Sequence, residues 1–210
     1  MTSTVFLPGA GGRASFWRPV AERLRDLGPQ VLLAWPGFGD EPPAPEVRSL
    51  DHLYGWMRAR LPKGRWHVVA QSMGGVLAAR LAIEEPERVA HLVLVATSGG
   101  VDVAGLGGID WRPGFRAEHP EVPEWFERDR TDLTAQLGRI RAPTLLLHSE
   151  EDPIYPRAAV ALLRERISGA RAVLVAGGSH TFAHEKPDEA AALIREHLAS
   201  RPGARRGRSA

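Results

Sequence analysis

The stretch Trp66-His67-Val68-Val69-Ala70-Gln71-Ser72-Met73-Gly74-Gly75-Val76-Leu77 decides how this chain is read. Trp66 to Ala70 is an apolar run of strand length, and Gly75-Val76-Leu77-Ala78-Ala79-Arg80-Leu81-Ala82 has the composition of a buried helix. Ser72 therefore falls on a sharp strand-to-helix corner. There its hydroxyl stands above the sheet with the positive end of a helix beneath it, which suits a nucleophile. The relaxed pattern (Gly or Ala)-x-Ser-x-Gly proves little alone, because ordinary residue frequencies produce it in on the order of a tenth of chains this long. A catalytic serine also needs a base, a group that orients the base, and donors for the oxyanion.

Outward from this corner, strand and helix patterns alternate along the chain. Thr4 to Leu7 reads as a short strand ending in Pro8-Gly9-Ala10-Gly11-Gly12, followed by a helix over Phe16 to Leu27 with Phe16, Val20, Leu24 and Leu27 at helical spacing. Val31 to Trp35 is the next strand and stops at Pro36-Gly37-Phe38-Gly39. A helix follows from about Ser49 to Leu61, capped by Ser49 or Asp51. His91 to Thr97 and Thr144 to His148 are continuous apolar runs, as expected of strands buried on both faces. Arg157 to Ile167 reads as helix, Ala172 to Ala176 as strand and Pro187 to Ala199 as helix. Strands separated by helices, with no tight hairpin signals, imply a three-layer α/β/α sandwich around about six mostly parallel strands.

In such sheets ligands sit beyond the carboxyl ends of the strands, which selects a few loops. One contains Glu150-Glu151-Asp152-Pro153, an acid four residues past the end of a strand; another contains Gly177-Gly178-Ser179-His180. His184 is a rival base four residues later, and His148 closes a strand nearby. The order Ser72, Asp152, His180 is the serine, acid, histidine order of one large group of hydrolases. The chain resembles the α/β-hydrolase superfamily over about residues 4 to 199. The resemblance is carried by Pro8-Gly9-Ala10-Gly11-Gly12 with Phe16-Trp17, by Pro36-Gly37-Phe38-Gly39, by the serine corner, by Glu151-Asp152-Pro153-Ile154, and by His180 ahead of Glu185-Lys186-Pro187. Within that superfamily it is most similar to small carboxylesterases, among them the pimeloyl-carrier-protein methyl ester esterases.

The resemblance implies Ser72 as nucleophile, His180 as base and Asp152 as its orienting acid, with the backbone N–H groups of Ala10 and Met73 as the oxyanion hole. It favours His180 over His184. Three features depart from the family pattern. Ala70 replaces the usual first glycine of the elbow, Pro8 stands where the oxyanion loop often carries histidine, and the family's initial antiparallel hairpin is expected to be missing. The same triad also serves thioesterases, carbon-carbon bond hydrolases and acyltransferases, and a non-catalytic ligand-binding protein on this fold is the alternative from another class.

Only about residues 98 to 133 are left to cover the site, so a short lid over an open cleft is expected. Trp111, Phe115, Trp125 and Phe126 are candidates to line an acyl pocket for small or medium esters, and equally candidates to pin an irregular segment to the body. Arg13 and Arg157 are candidates for a substrate carboxylate. An acidic carrier protein would prefer a basic surface, whereas residues 98 to 133 carry four arginines against eight acids, a formal net of −4. A free small-molecule ester is the expected substrate, with a carrier protein as the alternative partner.

Composition excludes other classes. Hydrophobic residues make up 43% and charged residues 25% of 210, within the range of globular chains, and no apolar run approaches the roughly 20 residues of a membrane span. One domain over 1–200 is expected. With no cysteine there is no disulfide, thiol nucleophile or thiolate metal site. No His/Asp cluster has metal-ligand spacing, and Gly9-Ala10-Gly11-Gly12 lacks the remainder of a phosphate-loop or dinucleotide fingerprint, so no metal or cofactor is expected. The pI of about 9.5 suggests nucleic acid. However, the net charge of +2 rests on Arg201, Arg205, Arg206 and Arg208, without which residues 1–200 carry −2. Residues 201–210 are expected to form a disordered basic tail. The amino terminus carries neither the charged region nor the apolar stretch of an export signal, which makes the cytoplasm the expected location.

Overall fold

The computed structural model describes residues 2–200; Met1 and the basic segment 201–210 lie outside the described residues. Strands β1 (Thr2–Leu7), β2 (Gln30–Leu32), β3 (Arg65–Gln71), β4 (Val89–Val95), β5 (Thr144–Ser149) and β6 (Arg171–Val175) form one sheet in the order β2-β1-β3-β4-β5-β6. Every pairing is parallel. Helices α1 (Arg18–Arg23), α2 (Leu50–Arg58), α3 (Met73–Glu84), α4 (Arg112–Glu118), α5 (Trp125–Arg128), α6 (Arg157–Arg166), α7 (Phe182–Glu185) and α8 (Pro187–Leu198) complete the fold.

Side-chain alternation along the strands builds two cores. Leu7, Val68, Leu92, Leu94 and Leu146 point to the face covered by α2, α3 and α6, where they meet Leu53, Leu77, Leu81 and Leu163. Their neighbours Phe6, Val69, Val93, Leu145 and Leu147 point to the other face, where Trp17, Val20, Phe182 and Ile194 bring in α1, α7 and α8. Every residue of β4 and β5 is buried, which explains why both read as unbroken apolar runs.

Several boundaries move for local reasons. The expected helix over 16–27 is broken, with α1 flanked by single 3-10 turns at Ala14–Phe16 and Arg25–Leu27, yet Leu24 stays buried. Pro19 fits the first turn of α1, where its missing N–H costs no bond. β2 is shorter than its apolar run, although Leu33 N still donates to Phe6 O at 3.0 Å. Of the two capping candidates ahead of α2, it is Ser49 whose Oγ accepts from His52 N, at 3.1 Å. The segment 98–133 holds only a 3-10 turn at Ala104–Leu106 and the short α4 and α5, and its two ends are tied by Leu133 N donating to Gly100 O at 2.7 Å.

Candidate active site

The carboxyl ends of β1, β3, β5 and β6 converge on one cleft. At the end of β3, Ser72 adopts φ 52°, ψ −122°, a left-handed conformation that among the described residues only one other non-glycine, Ala96, shares in sign of φ. The corner is held from both sides. Ser72 N donates to Val95 O at 3.1 Å, and the Thr97 hydroxyl donates to Ser72 O at 2.6 Å. The two glycines of α3 permit close approach: a Cβ on Gly74 would meet the Pro8 and Leu7 carbonyl oxygens, and one on Gly75 would lie 2.6 Å from Thr97 Cβ. Ala70, in place of the usual glycine, is wholly buried within the α3-facing core.

Asp152 and His180 come together 28 residues apart in sequence. His180 Nδ1 lies 2.9 Å from Asp152 Oδ2, with the acid side chain wholly buried and the imidazole 19% exposed. The other carboxylate oxygen, Oδ1, accepts from Ile154 N at 2.9 Å and Tyr155 N at 3.3 Å. Burial alone would raise the Asp152 pKa, but the His180 hydrogen bond and charge and these two amides outweigh it, leaving the group below the ordinary carboxylate value. An ionised acid thus faces the ring and fixes a proton on Nδ1, leaving Nε2 as the acceptor.

Neighbouring polar groups brace the two loops against each other. Ser149 at the end of β5 donates through its hydroxyl to Gly178 O and accepts from Glu151 N at 3.2 Å. Glu185 accepts from Ser179 N at 3.0 Å and from the Thr181 hydroxyl at 2.6 Å, so the residues on both sides of His180 are fixed to the end of α7. Tyr155 stacks obliquely on His180, ring centres 5.4 Å apart. Burial pushes its phenol up to about 12, with the Ser72 side chain pulling in the opposite direction. Burial also lowers the pKa of His148, against the pull of Asp152, so this strand-end histidine is held neutral behind the site.

The cleft measures about 620 Å³ and has Ser72, His180, Ala10, Trp111, Phe115 and Ile154 among its walls. Trp125 and Phe126 do not reach it. They pack on Phe38, at ring-centre distances of 5.6 and 6.1 Å, so of the four lid aromatics two line the cleft and two pin the segment to the body. Arg13 stands on the cleft wall, but its guanidinium grips Asp40 through two bonds of 2.9 and 3.2 Å, and Arg157 is paired with Glu150 at 2.8 Å. Both pairs are solvent-exposed, and Arg13 keeps its place on the cleft wall. His184 bonds Phe16 O at 2.9 Å and stacks on the Phe16 ring, away from the acid. Among the described residues no group of three His, Asp or Glu side chains is arranged to hold a metal ion, and no helix is long and apolar enough to cross a membrane.

The family model described as the alpha/beta hydrolase fold matches residues 5–132, from β1 through the elbow and nearly all of the segment after β4. The chain belongs to the alpha/beta hydrolase family. Among curated relatives of this alpha/beta hydrolase, a pimeloyl-[acyl-carrier protein] methyl ester esterase of Aeromonas hydrophila is 27% identical, covering 92% of this chain and 94% of the relative. A putative carbamate hydrolase of Azorhizobium caulinodans is 26% identical over 89% and 87%. Among solved structures, a thermophilic esterase from Thermogutta terrifontis superposes with a TM-score of 0.76 at 22% identity, covering 94% of this alpha/beta hydrolase and 89% of the esterase. A hydrolase from Pseudomonas aeruginosa gives 0.75 at 22% over 95% and 90%.

Sequence reasoning did not single out Gln71, Ser149 or Tyr155. Gln71 occupies the variable position of the elbow pattern, and Ser149 reads as the first residue past the apolar run Thr144 to His148. Tyr155 lies three residues past Asp152, where only the fold reveals that its side chain reaches Ser72.

Proposed function

We propose that this alpha/beta hydrolase is a serine carboxylesterase acting on small or medium esters through an acyl-enzyme. The observation that carries the reading is the 2.9 Å contact between Asp152 and His180 at the wall of a cleft that also contains the strained Ser72. Ser72 Oγ adds to the ester carbonyl carbon while His180 Nε2 takes its proton, and Asp152 stabilises the imidazolium. The N–H groups of Met73, at the start of α3, and of Ala10, in the loop after β1, receive the charge that develops on the carbonyl oxygen. The bond from carbonyl carbon to alkoxy oxygen then breaks, and the alcohol departs with the proton from His180. Water attacks the acyl-serine, again giving its proton to His180, and Ser72 is regenerated as the acid leaves.

Trp111, Phe115 and Ile154 make the acyl side of the cleft apolar, which favours a hydrocarbon chain over a polar one. Relatives are named as methyl ester esterases of a carrier-protein-bound acyl chain. The net charge of −4 on residues 98 to 133 favours a free ester over an acidic carrier here. The test is fluorophosphonate labelling with peptide mapping, alongside hydrolysis of p-nitrophenyl esters of increasing acyl length. Label on Ser72, with turnover lost in Ser72→Ala, is expected; an unlabelled Ser72, or equal turnover by both proteins, overturns the reading.

A further inference from the structure

Gln71 is the last residue of β3, immediately before the nucleophile, and is 4% exposed. Its amide nitrogen lies 3.1 Å from His180 Nε2 and 3.3 Å from His180 O. Its amide oxygen rests against Gly9, where a Cβ would collide with it. The amide is therefore clamped between the loop after β1 and the loop after β6, on the wall of the cleft.

Because Nδ1 carries the proton that faces Asp152, Nε2 is an acceptor, and the group opposite it must be the amide N–H. That lone pair is the one to which Ser72 would deliver its proton. Among the described residues the hydrogen-bond partner of Nε2 is Gln71, not Ser72. From this juxtaposition we infer that Gln71 is a positioning residue that caps the base and releases it when an ester binds. The inference rests on the serine-hydrolase reading of the site.

The physical consequence follows from the proton's direction. An N–H donated to Nε2 stabilises the neutral ring, but once Nε2 has taken the serine proton two N–H groups face each other and repel. The amide must leave Nε2 by the transition state. Its second contact, to His180 O, keeps it anchored as it turns, and the oxygens of an incoming ester offer it a new acceptor. The cap thus stabilises the resting enzyme more than the transition state, and removing it is expected to speed the first chemical step.

The test compares wild type with Gln71→Met, which keeps the length and removes the donor, and Gln71→Glu, which places a carboxylate at Nε2. A neutral hydrogen bond of ordinary net strength, ~1 kcal/mol, corresponds to about a fivefold change. Fluorophosphonate labelling of Ser72 in Gln71→Met is therefore expected to quicken about fivefold, and the acid limb of its pH profile to move to higher pH. In Gln71→Glu the acid limb should move further, since a carboxylate favours the imidazolium. Labelling that slows or is unchanged in Gln71→Met, with the acid limb unmoved, overturns the cap and leaves Gln71 as packing. A second readout does not depend on reactivity. The His180 ring titration followed by nitrogen NMR should shift upward from wild type to Gln71→Met, and an unshifted titration also overturns the cap. Absence of labelling in every protein, with the NMR shift present, would instead remove the hydrolase reading while preserving the contact.

Discussion

At the scale of single residues the site depends on which nitrogen of His180 holds the proton, and Asp152 decides that. Its Oδ1 is engaged by two backbone amides, so Oδ2 is fixed opposite Nδ1 and cannot turn away. Asp152→Asn keeps the size but can present an amide N–H to Nδ1, which moves the ring proton to Nε2 and removes the acceptor. Turnover of a short p-nitrophenyl ester is expected to fall by about 10⁴-fold, with the folded state retained. A loss below tenfold would mean that the ring is oriented by something else. The three residues of the proposed triad were legible because each sits past a strand end, where chain order and strand pattern alone place it. Gln71 and Tyr155 were not, because their contacts run to residues 109 positions distant, or across a turn whose path no local pattern encodes. The pairing of Arg13 was hidden for a related reason: its partner Asp40 lies 27 residues away in a proline-rich loop.

At the scale of elements the elbow is a packing device. α3 approaches β1 so closely that Gly74 faces the Leu7 and Pro8 carbonyls, with a hypothetical Cβ only 2.9 Å from Leu7 O. Those carbonyls belong to backbone and cannot rotate aside, so a methyl group there must push helix and strand apart. Gly74→Ala is expected to cost about 1–3 kcal/mol in urea unfolding. It should also slow labelling of Ser72, because Met73 N–H and the Ala10 loop separate as the strand and helix do. An unfolding midpoint equal to wild type would show that the junction is looser than its geometry implies. Long regular elements were readable from periodicity, and β4 and β5 agree with their apolar runs to within two residues. The helix expected over 16–27 stays α-helical only over Arg18–Arg23: Val20 and Leu24 are buried, while Phe16 and Leu27, in the flanking 3-10 turns, are partly buried against the same core, and apolar spacing does not distinguish 3-10 from α geometry.

At the scale of the whole molecule the end of the sheet away from the cleft carries a second titratable cluster. His67 on β3 and His91 on β4 meet at 3.1 Å between their Nδ1 atoms, and His197 of α8 packs edge-on to His91 with ring centres 5.2 Å apart. His91 Nε2 donates to Ser200 O at 3.0 Å and His197 Nε2 to Pro143 O at 3.1 Å, so the cluster ties α8 to the sheet. Burial lowers all three, helped at His67 and His197 by the charge of His91 and at His67 and His91 by that of Arg65. His67 and His197 each fall to about 4. The sign is then fixed: an unfolded histidine binds its proton near pH 6.5 while these folded ones resist until about 4, so the unfolded state binds more protons throughout that window. The cluster's contribution to stability is fully present above about pH 6.5 and is lost progressively as pH falls toward 4. Thermal unfolding at pH 7 and pH 5 should show a lower midpoint at the acidic value. His197→Gln retains a donor for Pro143 O but does not titrate, so it should narrow the gap between the two midpoints. An unchanged gap would assign the acid sensitivity to groups other than His197, and docking of α8 would then be independent of this cluster's charge.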